Sequence, residues 1–286
     1  MRKPNKRLII KLSAILICVI IIVLAGIIFT GQNSVNYENA DFVAVLDVNQ
    51  GDSILIYSNG DAALIDTGEE MYSRDMLRKV RGYGVNSLDA LIISHSHDDH
   101  SGGAEYLLSN MSVENIITPE FRSDEKVTEL NKAMVASGAE IYTASEGMVI
   151  NIGDFEITVL YADNSDEDIN NRSIVLMAEI EDKRFLFTGD AEKQVEDALI
   201  DNGINFDCDV LKVSHHGSST SSTKDFIDIA TPEYSVISVG ADNSYGHPNK
   251  NVVARLEQAG SDVLRTDYLG DIIFSIENGE IVVVEQ

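Results

Sequence analysis

SHSHDDHSGG, residues 94–103, is the stretch that decides how this chain is read. Three histidines and two aspartates fall within residues 95–100, and Ser-Gly-Gly follows at once. In extended backbone, residues two apart point the same way, so His95 and His97 can converge on one cation through neutral imidazole nitrogens. Asp99 and His100 come next, where the chain turns into a helix, and can face a second cation beside the first. Ser101-Gly102-Gly103 lets the main chain bend sharply there. Asp98 is left over, as a supporting or solvent-facing residue.

Two other segments supply what such a loop lacks. FLFTGDAE (185–192) sets Asp190 at the end of an apolar strand, where a carboxylate can bridge two ions; alone, Asp190 reads equally well as a helix N-cap. VLKVSHHGSSTSS (210–222) delivers His215 and His216 after another buried strand. Ligands in layered α/β folds gather where strands end, which ties the three segments together. Asp66 in ALIDTG is a turn residue or one that orients a ligand. His247, in SYGHPN, is a loop residue ahead of a helix capped by Asn249, or a group that contacts substrate and donates a proton. The hydroxyl run Ser218–Ser222 reads as a solvated loop with phosphate contact open to one or two members.

Outward from these segments, short strand patterns alternate with helix patterns. Strands are predicted at 42–48, 53–58, 62–66, 88–94, 113–118, 156–162, 173–180, 184–189, 208–214, 234–240, 262–267, 271–276 and 281–285. Helices are predicted at 73–83, 124–138, 191–203, 222–230 and 249–259. Many short strands with helices between them indicate sheets covered on their outer faces by helices. The acidic run DNSDEDINN (163–171) lacks the ligand spacing of an EF-hand and reads as a solvated loop. Cys18 and Cys208 form no disulfide framework, and Cys208 is expected to be buried in a strand.

The N-terminus is a separate unit. Arg2, Lys3, Lys6, Arg7 and Lys11 precede an apolar run from Leu12 to Phe29. Eighteen residues at about 1.5 Å each span roughly 27 Å, close to the hydrocarbon thickness of a bilayer. Residues 1–30 are therefore expected to be a cytoplasmic basic flank and one transmembrane anchor, with a cleaved signal peptide, and hence a secreted protein, as the alternative. Residues 31–40 are a polar linker, and residues 41–286 a single domain outside the membrane. Of the 21 Lys and Arg, five belong to the basic flank, which leaves 16 against 47 Asp and Glu and a net charge of −31 for residues 31–286. Such a surface opposes tight non-specific nucleic-acid binding, which needs basic residues to neutralise phosphates. It leaves open local chemistry on a phosphodiester.

LIDTG, SHSHDDHSGG, FTGDAE and KVSHHGS, in that order, resemble the metallo-β-lactamase fold superfamily, over nearly all of residues 41–286. LDVNQGDSILI, NNRSIVLM, LKVSHHGSSTSS and YGHPN are similar to the branch typified by the hydrolase domain of the competence protein ComEC. The resemblance implies a four-layer αββα sandwich with two divalent metal ions at the strand ends, zinc first and manganese as the alternative. It assigns His95 and His97 to one metal, and Asp99, His100 and one of His215 or His216 to the other, with Asp190 between them. His216 is favoured as the direct ligand and His215 as its neighbour. No histidine occurs between residues 101 and 214, so the middle ligand many members give the first metal is missing; Asn171 and Ser173 stand in that region as orienting residues. Asn49 replaces the usual glycine of the branch signature.

The implied activity is hydrolysis by metal-activated hydroxide, with Asp99, Asp190 and His247 as catalytic residues. The expected substrate is a phosphodiester, in DNA or a cell-wall polymer, which makes the chain a phosphodiesterase or nuclease with DNA-uptake machinery as a partner. A phosphorylcholine or teichoic-acid esterase of the wall, or another esterase of this fold such as a lactonase or, weakest, a β-lactamase, is the alternative, and a non-catalytic binding protein comes last.

Overall fold

The structure is a computed structural model that describes residues 40–121 and 127–285. The expected anchor and all but the last residue of the linker lie outside the described residues. Among the described residues, no helix is long and apolar enough to cross a membrane.

Two sheets form the framework. The first has the order β15-β14-β1-β2-β3-β4-β5-β6, built from β1 (Asp41–Val45), β2 (Ile54–Ser58), β3 (Asp61–Ile65), β4 (Ser87–Ile92), β5 (Ser112–Thr118), β6 (Glu140–Thr143), β14 (Ile272–Glu277) and β15 (Glu280–Glu285). The second runs β13-β12-β11-β10-β9-β8-β7, with β7 (Val149–Ile152), β8 (Phe155–Tyr161), β9 (Val175–Ile180), β10 (Lys183–Phe187), β11 (Val210–Lys212), β12 (Tyr234–Ile237) and β13 (Asp262–Arg265).

Side-chain alternation explains why the sheets face each other. Val43, Val45, Ile54 and Ile56 point into the inter-sheet core with Phe155, Phe185, Phe187 and Phe274. Their neighbours Phe42, Ala44, Leu55 and Tyr57 point the other way, onto Met76, Leu77, Leu107 and Leu130 of the outer helices. Leu186 and Leu211 of the second sheet likewise meet Val195, Leu199, Phe226 and Leu256. Helices Ser73–Gly82, Ala104–Asn110 and Thr128–Ser137 thus cover one sheet, and Lys193–Asp201, Lys224–Ala230 and Lys250–Gln258 the other. A period of two in each central strand, with both faces apolar, dictates four layers. Each fully buried aliphatic or Phe side chain contributes about 1.5–3 kcal/mol.

The predicted strands and long helices are present, with ends shifted by up to four residues. β6 and β7 were not expected. Residues 140–143 are exposed throughout, so this edge strand carries no alternating pattern to read. Cys208 is buried but sits in the segment before β11, since the predicted strand 208–214 is paired only over Val210–Lys212. The described part of the 124–138 helix starts at Thr128 and ends on Gly138 in the left-handed conformation (φ 78°).

What matters for function is direction. β3, β4 and β5 run parallel, as do β10, β11 and β12, and the loops leaving β3, β4, β10 and β11 carry Asp66, the histidine loop, Asp190 and the His-His pair.

Candidate metal centre

All six histidines of the chain meet in one place. Ring centroids run His97–His95 (4.9 Å), His95–His100 (4.2 Å), His100–His216 (5.3 Å), His216–His215 (6.3 Å) and His215–His247 (5.6 Å).

The histidine loop leaves β4 in extended backbone, and His97 is still extended (φ −66°, ψ 149°) before Asp98 starts a one-turn helix. His95 Nε2 and His97 Nδ1 lie 3.1 Å apart, as the two-residue spacing requires. Gly51 permits the next approach: a Cβ there would stand 2.1 Å from the Asp99 carbonyl oxygen. The Asp52 N–H donates to that oxygen (3.0 Å), fixing the helix turn that presents Asp99 and His100.

Asp190, 2 % exposed, holds the centre together. Its Oδ1 lies 3.1 Å from His100 Nε2 and 3.6 Å from His216 Nε2. Its Oδ2 lies 3.9 Å from His95 Nε2 and 3.6 Å from His215 Nε2. Asp99 Oδ2 is 3.2 Å from His216 Nε2. One carboxylate oxygen therefore faces each of two ligand groups: Asp99, His100 and His216 on one side, His95 and His97 on the other. The helix after Asp190 begins at Lys193 with Glu192 at its N-cap, so Asp190 is not that helix's cap.

The pair His215-His216 divides between the two oxygens of Asp190. Both residues, and Gly217 after them, have left-handed backbone (φ 49°, 52° and 78°). His216 is buried among Asp99, His100 and Asp190. His215 is a neighbour of His216 in sequence, yet it turns to the opposite oxygen of Asp190, on the His95/His97 side. Its Nδ1 meets Glu192 Oε1 (3.3 Å) and Thr220 Oγ1 (3.4 Å).

Supporting contacts fix the ring orientations. Asp66, itself left-handed (φ 61°), accepts from the Ser94 N–H (2.7 Å), from Ser94 Oγ (2.6 Å) and from His100 Nδ1 (2.8 Å). His216 Nδ1 donates to the Ser238 carbonyl (2.9 Å). Ser173 Oγ accepts from the Asp190 N–H (3.0 Å) and stands 3.3 Å from His95 Nδ1. Asn171 does not reach the His95/His97 group: its Oδ1 accepts from the Glu192 N–H (3.1 Å), bracing the loop that carries Asp190.

The donor set fits metal cations. With Nδ1 of His100 and His216 committed as donors, both Nε2 lone pairs aim at carboxylate oxygens, an arrangement that needs positive charge between them. His100 Nε2 and Asp190 Oδ1 are buried and, although 3.1 Å apart, have no hydrogen-bond partner. Two ligands each about 2.0–2.1 Å from a tetrahedral zinc stand roughly 3.3 Å apart, within the 3.1–3.9 Å spacings found here.

Electrostatics agree. Burial works against a charged His100, but Asp190, Asp66 and Asp99 outweigh it and raise its pKa well above the ordinary value. His216 is raised against its burial by Asp190 and Asp99 in the same way. Burial alone would lift Asp190 and Asp99, yet His100 and His216 hold both carboxyls below the usual range. His95 is pushed well down by burial and by the charge of His100, so its ring is neutral.

The centre opens into a cavity of about 340 Å³ lined by Gln50, Glu69, Asp98, Tyr245 and His247 along with members of the ligand groups, and among the described residues no Lys or Arg lines it. Tyr245 stacks on His247 (5.9 Å, 12° between planes), and Tyr245 is 67 % exposed. His247 is pushed down, first by burial and then by His215 and His216, which keeps the ring neutral near pH 7.

The metallo-beta-lactamase superfamily pattern matches residues 46–241. The chain belongs to this superfamily. Among curated relatives, ComE operon protein 3 of Bacillus subtilis is 34 % identical over 257 residues, covering 82 % of this chain and 33 % of that protein. Competence protein ComA of Neisseria gonorrhoeae is 30 % identical over 268 residues, 91 % of this chain and 36 % of that protein. The chain thus spans about a third of the length of these relatives. Among solved structures, the metallo-beta-lactamase fold protein YhfI of Bacillus subtilis superposes with a TM-score of 0.56 at 14 % identity, covering 82 % of this chain and 99 % of that one, which shows the shared fold. The superfamily fold implies divalent metal ions, and the candidate ligands are those described above.

Sequence reasoning missed Asp52, Lys212, Glu192, Glu69 and Tyr245. A lysine inside the apolar strand VLKV was the available signal for the buried pair described below.

Proposed function

We propose that this chain is a metal-dependent phosphodiesterase or nuclease, anchored in the membrane by residues 1–30 and acting outside it, in association with DNA-uptake machinery. The observation that carries the chemistry is the division of Asp190, one oxygen to each of two ligand groups at the floor of an open cavity. The competence names of its relatives support the biological setting.

His95 and His97 would hold one cation, Asp99, His100 and His216 the other, and Asp190 both. Two divalent ions bound there, zinc in the first instance and manganese otherwise, would supply Lewis acidity toward a phosphoryl oxygen and lower the pKa of water. The protein's own part is orientation: Asp66 and Ser238 fix the tautomers of His100 and His216, and Ser173 braces Asp190. His247 faces the substrate space as a neutral ring, so it donates a proton only below the ordinary histidine range or after taking one up. The reacting phosphate would be met at the metal centre, and the carboxylates of Glu69 and Asp98 in the described lining favour a short or single-stranded phosphodiester over duplex. The acidic rim of Glu69 and Asp98 beside Tyr245 favours a second reading, an esterase acting on a zwitterionic wall phosphodiester.

The test is a side-by-side assay of the full chain in mild detergent, loaded with Zn²⁺ or Mn²⁺. Substrates are single-stranded DNA, bis-p-nitrophenyl phosphate, p-nitrophenyl phosphorylcholine and nitrocefin. Turnover of the first two supports the proposal, and turnover of phosphorylcholine alone transfers support to the second reading. Activity that survives Asp99→Ala and Asp190→Ala overturns the metal-centre mechanism.

A further inference from the structure

Asp52 and Lys212 form an ion pair that the chemistry above does not use. Lys212 Nζ lies 2.8 Å from Asp52 Oδ2, and each side chain is 1 % exposed. Lys212 ends β11 in the second sheet, and Asp52 sits between β1 and β2 of the first, so the pair ties the two sheets together beneath the metal centre. Lys212 also donates to the Val213 carbonyl (3.0 Å). Removing two charges from water costs several kcal/mol per ion and is recovered only through close pairing, so packing alone does not call for a lysine here.

Asp52, which Lys212 holds, belongs to a ring of contacts through Asp99 and His216 of one ligand group. The Asp52 N–H donates to the Asp99 carbonyl (3.0 Å), and Asp99 Oδ2 meets His216 Nε2 (3.2 Å). His216 Nδ1 donates to the Ser238 carbonyl (2.9 Å), and Ser238 Oγ donates to the carbonyl of Gly51 (2.8 Å), the neighbour of Asp52. Inside this ring Asp52 Oδ1 has no hydrogen-bond partner and stands 3.4 Å from His216 Nδ1. His95 and His97 are held instead through Ser94, Ser173 and each other.

We propose that the Asp52–Lys212 pair is a positioning device for the Asp99/His100/His216 group, setting that group's affinity for a divalent ion while leaving the His95/His97 group unaffected. Lys212 holds Asp52 Oδ2, so that the Asp52 main chain fixes Asp99 while Oδ1 stays beside His216 Nδ1 (3.4 Å). The inference rests on the two-ion reading of the centre.

The experiment measures metal content and buffered Zn²⁺ affinity of the full chain, with the Co²⁺ absorption spectrum as a direct report on the ligands. Asp52→Asn and Lys212→Met should each weaken one of two ions about 10–100-fold, the size typical of lost supporting contacts. The double variant should be no worse than the poorer single, because the two residues act as one unit. Asp271→Asn breaks a different lysine–aspartate pair, with Lys79, and should lower thermal stability while keeping both ions. Two ions at wild-type affinity in both singles, additive losses in the double, or equal metal loss in Asp271→Asn would overturn the proposal. If a single variant fails to fold, the double, which has neither charge, decides: one weakened ion supports the pair's role and two tight ions refute it. A wild-type chain that binds a single ion refutes the two-ion reading separately, and the pair's role then stands only if the variants weaken that ion.

Discussion

Replacing Asp66 by Asn exchanges one oxygen for an NH₂ in a buried site and tests how the centre is oriented. Asp66 is 1 % exposed and accepts three hydrogen bonds, two from Ser94 and one from His100 Nδ1. Its backbone is left-handed (φ 61°), which Asn adopts readily and Ala does not, so Asn leaves the main chain undisturbed. If the amide oxygen keeps the Ser94 N–H, the NH₂ group faces His100 Nδ1. Two donors then confront each other, and relief comes from moving the imidazole proton to Nε2. That is the nitrogen aimed at Asp190, and once protonated it cannot ligate. Loss of such a carboxylate–histidine contact weakens metal binding about 10–100-fold, or about 1.4–2.8 kcal/mol at 1.4 kcal/mol per factor of ten. The effect should fall on one ion of two. Competition with a fluorescent zinc chelator measures it, and Asp66→Ala should show the same metal loss plus about 1–2 kcal/mol of backbone strain in chemical denaturation. Affinities within twofold of wild type for both ions would refute the tautomer argument, and an Ala variant as stable as the Asn one would refute the strain argument.

Three further outcomes follow from the same geometry. Asn49 has φ 67°, so Asn49→Gly should change the unfolding free energy by less than about 0.5 kcal/mol, whereas Asn49→Ala should cost about 1–2 kcal/mol. Gly51→Ala drives a Cβ onto the Asp99 carbonyl, and should cost about 1–3 kcal/mol together with metal affinity, read by thermal melts with and without zinc. Glu196, buried and accepting from the Thr223 N–H (2.9 Å), has its pKa raised, first by burial, although Thr223, Ser222 and Arg255 oppose the shift. A raised carboxyl pKa means that the folded chain keeps a proton the unfolded chain has released, so this stabilisation is present at low pH and lost as pH rises through the window above the ordinary glutamate value. Urea melts across that window should show a steeper fall in stability for wild type than for Glu196→Gln, and equal slopes would count against the assignment.

How much of this was legible in the sequence depends on the kind of information each residue carries. The histidine loop was readable because its ligands are neighbours in the chain, and the two-residue rule of extended backbone already brings His95 and His97 together. Asp190 was readable from its place after the apolar strand FLF, and the layers from the alternation of Phe42 and Val43 or Leu186 and Phe187. The Asp52–Lys212 pair was not, because nothing in VLKV or QGD says that two strand ends on different sheets will meet. His215 shows the limit most clearly. Along an extended segment adjacent side chains diverge, so a His-His pair would offer one ligand and one bystander, and nothing in the pair itself decides which is which. Three successive left-handed residues break that pattern, turning His215 back toward Asp190 Oδ2 while His216 faces Oδ1. Gly217 makes such a turn affordable, but it also fits an ordinary loop. Side-chain chemistry is written residue by residue, whereas backbone handedness at histidine is fixed only by the packing around it. A group on the His95/His97 side was therefore present in the sequence from the start, and only the fold shows which way it points.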